Sequence, residues 1–205
     1  MESPRHYYDS LYEVAAAVNS ARTPEDVLLI LVEDTAKALD AKGCSILLLT
    51  PDKKCLIHTA AHGLSDRYIS KGLIALDPGI VNALEGKPVA VFDAILDKRT
   101  KYGDAEEREG IKAILSVPMM LRERVIGVIR VYKGEEYQFT EDEMHFVSLV
   151  ANLGAIALEN ARLYDRLHEN YKSLQSDILE WRATLGEDWI SKEPGVVAHR
   201  WWKFV

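Results

Sequence analysis

Cys44 and Cys55 are the only cysteines in 205 residues, too few for a disulfide framework and short of a four-ligand zinc pattern. Reduced, buried thiols are the reading they support. A basic excess is missing too: a formal charge of -7 and a pI near 5.4 leave no footprint for nucleic acid or an anionic membrane surface. No aliphatic run approaches the roughly 20 residues of a bilayer-spanning helix, and the opening Met-Glu-Ser-Pro-Arg-His-Tyr-Tyr has no apolar leader core. A cytoplasmic protein without a membrane segment is expected. No glycine-rich phosphate loop and no Ser-His-Asp arrangement is visible. His58 and His62 are four residues apart, but in an extended strand that is about 13 Å, too far for one ion. No metal site is predicted.

What is present is apolar patterning. With 48% hydrophobic residues the chain can bury one sizeable core. Its organising stretch is Gly110 to Lys133, where two apolar runs, Ala113–Leu121 and Val125–Tyr132, flank the polar Arg122-Glu123. This predicts a buried hairpin. A two- or four-residue turn sets Met120 opposite Val125. One face then carries Ile114, Ser116, Pro118, Val125, Gly127, Ile129 and Val131, and the other Leu115, Val117, Met119, Ile126, Val128, Arg130 and Tyr132. Both faces are mostly apolar, so both need cover: helices on one side and an irregular cover, with room for a cavity, on the other.

Around the hairpin, Tyr8, Leu11, Tyr12, Ala15 and Val18 recur at helical spacing over about Tyr7 to Ser20. Thr23-Pro24-Glu25-Asp26 supplies a capping hydroxyl, a first-turn proline and acids for a second helix. Cys44–Leu49 and Cys55–Ala61, joined by Pro51-Asp52-Lys53-Lys54, read as an antiparallel pair. From His62 to Gly110 short helical signals alternate with glycine, proline and acids, and Lys87–Phe92 suits an edge strand. A long mixed segment between core strands is a usual place for function.

Thr140 and Glu143 form a capping box that opens a long helix. Phe146, Leu149, Val150, Leu153, Ile156, Ala157, Asn160, Leu163 and Tyr164 mark one face. Leu167, Tyr171, Leu174, Ile178, Trp181 and Leu185 then alternate steps of four and three, a heptad seam. A continuous rod from Glu141 to Leu185 would be about 68 Å long. A parallel two-stranded coiled coil in a homodimer accounts for it, with Leu167, Tyr171, Leu174, Ile178 and Trp181 as interface; folding back on its own domain is the alternative. The last stretch carries Trp189, Trp201, Trp202 and Phe204, which suit a groove of the dimer or a second protein. The organisation predicted is a domain over 1–165, a coiled-coil extension over 166–186 and a Trp-rich tail over 187–205.

Seven segments in order carry a family resemblance: Gly43–Leu49, Ala60–Leu64, Asp77–Val81, Gly86–Val89, Ile114–Pro118, Val125–Ile129 and Ala155–Tyr164. Over roughly residues 10–165 the chain resembles a GAF domain. The resemblance implies an α+β fold: an antiparallel sheet with the terminal helices on one face and a small-molecule pocket on the other, followed here by the long helix. It implies no ligand by itself, since members bind cyclic nucleotides, bilins, haem, small anions or amino acids, and some serve only as dimerisation modules.

Subfamily motifs narrow this. Tyr132-Lys133 followed by Phe139-Thr140-Glu141-Asp142-Glu143 lacks the asparagine and the spacing of the cyclic-nucleotide type. The free methionine sulfoxide reductase type places cysteines in stretches that here, at Leu76–Leu84 and Glu109–Ser116, have none. No cysteine follows Cys55 to hold a bilin. Arg130, a lone cation between Ile129 and Val131, is read either as paired with a carboxylate of a covering helix or snorkelling to the sheet edge, or as an anchor for a ligand carboxylate or phosphate. Ser116, Tyr68, Phe92 and Tyr102 are the other pocket candidates. The leading expectation is a regulatory domain that binds a small molecule, the ligand and any cofactor being left unknown, and passes occupancy through a dimeric helix to a separate signalling protein. A ligand-free dimerisation module and a small thiol enzyme are the alternatives.

Overall fold

The computed structural model describes residues 4–20, 23–70, 72–75, 78–94 and 103–185. In order, α1 (Pro4–Ser20), α2 (Pro24–Ala38), β1 (Gly43–Leu49), β2 (Cys55–His62), α3 (Asp66–Ile69), β3 (Ile74–Ala75), α4 (Pro78–Leu84), β4 (Val89–Val91), α5 (Gly103–Glu109), β5 (Ala113–Leu121), β6 (Arg124–Lys133) and α6 (Glu141–Leu185) follow one another. The strands form one antiparallel sheet in the order β3-β2-β1-β6-β5-β4, so the hairpin β5–β6 joins the first meander to the edge. The chain divides into two compact units, Met1–Ala161 and Arg162–Val205.

Local signals explain the helix starts. Thr23 Oγ1 accepts from the Asp26 amide and Asp26 returns a carboxylate oxygen to the Thr23 amide. At α6 the Glu143 carboxylate accepts from the Thr140 amide at 2.7 Å while Thr140 Oγ1 accepts from the Glu143 amide. Each box satisfies helix-end donors that no carbonyl reaches. At the end of α2, Lys133 reaches from β6 and donates to the carbonyls of Leu39 (2.6 Å) and Asp40 (3.1 Å), with Tyr137 beside its ammonium. A buried lysine there meets orphan carbonyls and the negative end of the helix dipole.

One face of the sheet packs on α1, α2 and α6: Cys44, Ile46, Leu115, Val117, Met119, Ile129 and Val131 meet Val14, Leu31, Phe146 and Val150. On the other face, Ile114 and Tyr132 pack with Tyr68, Val91, Ala94 and Ile111, and Leu47 and Leu56 with Ile74 and Ile80.

The face assignment from sequence is corrected. Met120 does pair with Val125, but the ladder slips between Met119 and Met120 and leaves Ile126 without an opposite number. Beyond this bulge every pair moves by one residue, so Ser116 lies opposite Arg130 and Leu115 opposite Val131. Ser116 and Arg130 therefore share a face, where plain alternation separates them. Gly127 sits beside the bulge because a Cβ there would collide with the Leu47 carbonyl oxygen.

The single face expected for the start of α6 is corrected as well. Phe146 and Val150 are buried in the core, whereas Leu149, Ile156, Leu163 and Tyr164 are exposed. Among the described residues, α6 is long and apolar enough to cross a membrane by length and composition, and 39% of its most apolar stretch is buried inside the fold.

Thr35 on α2 is fully buried, and its hydroxyl has no hydrogen-bond partner among the described residues. Thr35→Val keeps the shape and removes that unmet desolvation cost, so it is expected to raise stability by about 1 kcal/mol. A midpoint in urea unchanged or lower than that of the parent would contradict this.

Candidate ligand site

The bulge of β6 builds the site. Ser116 on β5, Arg130 on β6 and Ser45 on β1 are consecutive partners across the middle of the sheet, and all three are buried. Arg130 Nε donates to Ser116 Oγ at 3.1 Å. Two residues along β6, the Tyr132 hydroxyl hydrogen-bonds Ser45 Oγ at 2.8 Å. A polar row thus crosses an otherwise apolar face, where each group needs a partner to offset its desolvation.

Two short helices lie over this row. Tyr68 of α3, only 4% exposed, stands edge-on to Tyr132 with centroids 5.9 Å apart, and its hydroxyl donates to Glu106 Oε1 of α5 at 2.9 Å. One turn on, Glu109 accepts from the Ser65 amide and hydroxyl at 2.7 and 2.5 Å, while Ser65 caps α3. Carboxylates three residues apart on α5 therefore grip groups three apart on α3, as the facing sides of two helices allow. Burial, with Tyr132 and Glu106 nearby, raises the Tyr68 phenol far above its usual range, and burial likewise raises Tyr132. Both stay neutral hydroxyls, able to donate. Glu106 Oε2 is buried with no hydrogen-bond partner among the described residues, so it can accept an N–H or O–H from a ligand.

Of the residues singled out from sequence, Arg130, Ser116 and Tyr68 lie on this face or against it. Phe92 does not: it is 52% exposed at the end of β4, and its neighbour Val91 packs beside Tyr68. The edge strand is three residues long, and its alternation turns Val91 inward. Tyr102 lies outside the described residues, as does the tail 187–205. Ser45, Tyr132 and Glu106 were missed. Ser45 had a signal, a hydroxyl within an apolar strand; Glu106 in Ala-Glu-Glu-Arg-Glu had none that separates it from its solvated neighbours.

The thiols are placed elsewhere. Cys44 is fully buried on the helix-packed face, where burial pushes its thiol well above the usual range. It should resist iodoacetamide at pH 8 in the folded protein, while the half-buried Cys55 is labelled. Mass spectrometry should show one adduct before unfolding and two after; rapid double labelling of the folded chain would contradict the burial. No group of three or more His, Cys, Asp or Glu able to hold a metal occurs among the described residues.

Comparison with known proteins agrees with this architecture. The GAF domain family matches residues 21–159. A protein named for the phosphoenolpyruvate-dependent phosphotransferase system of Escherichia coli (strain K12) is 31% identical over 155 residues, covering 75% of this chain and 21% of the relative. A sensor-like histidine kinase of Chloroflexus aurantiacus is 25% identical over 194 residues, or 92% of this chain and 31% of the kinase. The chain thus spans a minor part of these relatives' length. Among solved structures, the GAF domain of a phosphoenolpyruvate-protein phosphotransferase from Coxiella burnetii superposes with a TM-score of 0.71 at 20% identity, covering 80% of this chain and 99% of that one. With the sheet order, the covering helices and the match over most of its length, this chain belongs to the GAF domain family.

Proposed function

We propose that the chain is a regulatory GAF module that binds a small molecule against the Ser45–Arg130–Ser116 row and passes occupancy through a homodimeric α6 to a separate signalling protein in the cytoplasm. One observation carries the reading: a buried cation, two hydroxyls and an under-satisfied carboxylate converge between the sheet and α3 and α5. Groups of this kind are costly in a core built only for stability and suit selective recognition of a polar ligand. A ligand that prefers one packing of α3 and α5 would bias the module in proportion to its differential affinity for the two packings. The sensor-like kinase among the relatives supports a regulatory role.

A ligand-free dimerisation module is the second reading, favoured by the way Tyr68, Ile111, Ile114 and Tyr132 fill the same face with their own side chains. Native mass spectrometry of protein purified without additions separates the two. A dimer carrying a stoichiometric small-molecule adduct is the expected result. A clean dimer whose melting temperature no metabolite mixture shifts would leave the interaction module.

A further inference from the structure

Tyr68 occupies the middle of the face that the proposed ligand would use. Its ring stands between His58 of β2 and Tyr132 of β6, edge-on to both, with centroids 6.2 and 5.9 Å away. Strand β1 lies between β2 and β6, so the ring covers β1 where Ser45, opposite Arg130, turns its hydroxyl toward Tyr132. Burial raises the Tyr68 phenol and the Arg130 charge works against that rise, which sets the guanidinium within electrostatic reach of the phenol. The side chain is a plug over the polar row.

The element that carries the plug is slight. Helix α3 has four residues, too few to be stable by itself. Glycines at positive φ, Gly63 and Gly72, bracket it. Gly63 is a tightly packed pivot, since a Cβ there would collide with the Lys42 carbonyl oxygen, whereas among the described residues a Cβ on Gly72 would meet nothing within 4 Å. Two carboxylates of α5 hold α3 down, Glu106 through the Tyr68 hydroxyl and Glu109 through the Ser65 amide and hydroxyl. The Ser65–Glu109 bonds lie at the surface, where water replaces them at modest net cost.

We propose that α3 is a flap and Tyr68 a built-in occupant of the ligand site: a ligand reaches the Ser45–Arg130–Ser116 row by displacing Tyr68, and takes the acceptor Glu106 that the phenol gives up. The proposal rests on the ligand-binding reading above and adds what closes the site and what a ligand must replace. Glu106 Oε2 has no hydrogen-bond partner among the described residues, so lifting Tyr68 leaves both oxygens of a buried carboxylate to be met. The new occupant therefore brings N–H or O–H donors; a ligand made of acceptors alone would leave that carboxylate unpaired. A closed flap also lowers apparent affinity in proportion to the fraction of molecules that are open, so Ser65 and Glu109 set sensitivity from outside the row.

The test reads opening by iodoacetamide labelling of the full chain, counted by intact mass. One protein carries Cys55→Ser and keeps Cys44; the other adds Ser45→Cys beneath the plug. Neighbouring side chains of β1 point to opposite faces, so Cys44 reports global unfolding and the new thiol reports the flap. The first adduct of the Ser45→Cys protein should form at least about tenfold faster than the adduct of its parent. Adding Glu109→Ala should speed that first adduct about tenfold more and leave Cys44 labelling unchanged. Equal rates for the two proteins would mean that only global unfolding uncovers the row and would overturn the flap, as would an unaltered rate with Glu109→Ala. In the Ser45→Cys protein with Tyr68→Ala, millimolar p-cresol should slow the first adduct severalfold and toluene should not; equal protection by both would overturn the part given to Glu106. Equal thiol rates together with a stoichiometric adduct in native mass spectrometry would overturn the flap and keep the ligand. Rapid opening without any adduct would keep the flap and count against the ligand reading.

Discussion

Leu167→Lys combined with Leu174→Lys is expected to turn the proposed dimer into a monomer at micromolar concentration, with folding of the first unit unaffected. Both leucines are exposed, and neither belongs to the core that α6 shares with the sheet. A buried leucine contributes roughly 1.5–3 kcal/mol, and the double change removes four of them from a two-stranded seam. The loss is therefore about 6 kcal/mol or more, beyond a ten-thousandfold weakening of association. Introducing four ammonium groups along the same seam adds repulsion at low salt. Sedimentation equilibrium gives the oligomeric state, and urea unfolding followed by Trp-independent circular dichroism gives the integrity of the fold. A dimer of unchanged affinity would remove the α6 seam from the mechanism. A monomer that still binds the parent's adduct would separate the proposed ligand recognition at the sheet and its cover from the proposed transmission along α6.

Most of the elements and their order were legible because they carry local signals, whereas the four-residue α3 and the two-residue β3 were not picked out within the stretch from His62 to Gly110. Capping boxes at Thr23 and Thr140, apolar alternation in β1, β5 and β6, and glycines at positive φ after α4 and α5 are properties of a few neighbouring residues. The site was only partly legible because its geometry depends on one extra residue. Without the bulge at Ile126, alternation puts Ser116 and Arg130 on opposite faces; with it, they are hydrogen-bonded neighbours. A bulge sits where backbone strands fit one another, and nothing in Val-Ile-Gly-Val announces it beyond a glycine that also fits a plain strand. Glu106 was invisible for a different reason. Five of the seven residues of α5 are polar or charged, and only the position of Tyr68 across the gap decides which acid turns inward. The two sides of α6 were merged because a wide apolar face and two narrower stripes give similar spacings over a few turns. Burial separates Phe146 and Val150 from Leu149 and Ile156.

Arg130 offers the sharpest division between recognition and architecture. It is buried beneath the cover, and its Nε already donates to Ser116. Arg130→Ala would leave a hole and unpaired neighbours together, so loss of stability and loss of binding would arrive mixed; a destabilisation of about 3 kcal/mol is expected from it. Arg130→Met is more informative. Methionine keeps most of the length and the packing of the aliphatic stem and removes the charge, so it avoids the cavity while leaving the same neighbours unpaired. The Met variant should therefore be destabilised less than the Ala variant and remain folded. If Arg130 anchors a carboxylate or phosphate, losing a charge-assisted, two-pronged donor set should weaken the ligand by at least about 2 kcal/mol, some thirtyfold, and the adduct seen by native mass spectrometry should disappear. Ser116→Ala, which removes only the support of the guanidinium, should lower affinity by a smaller factor while leaving an adduct detectable. Retention of the adduct by the folded Met variant would sink the anchor role and shift recognition to Tyr68 and Glu106.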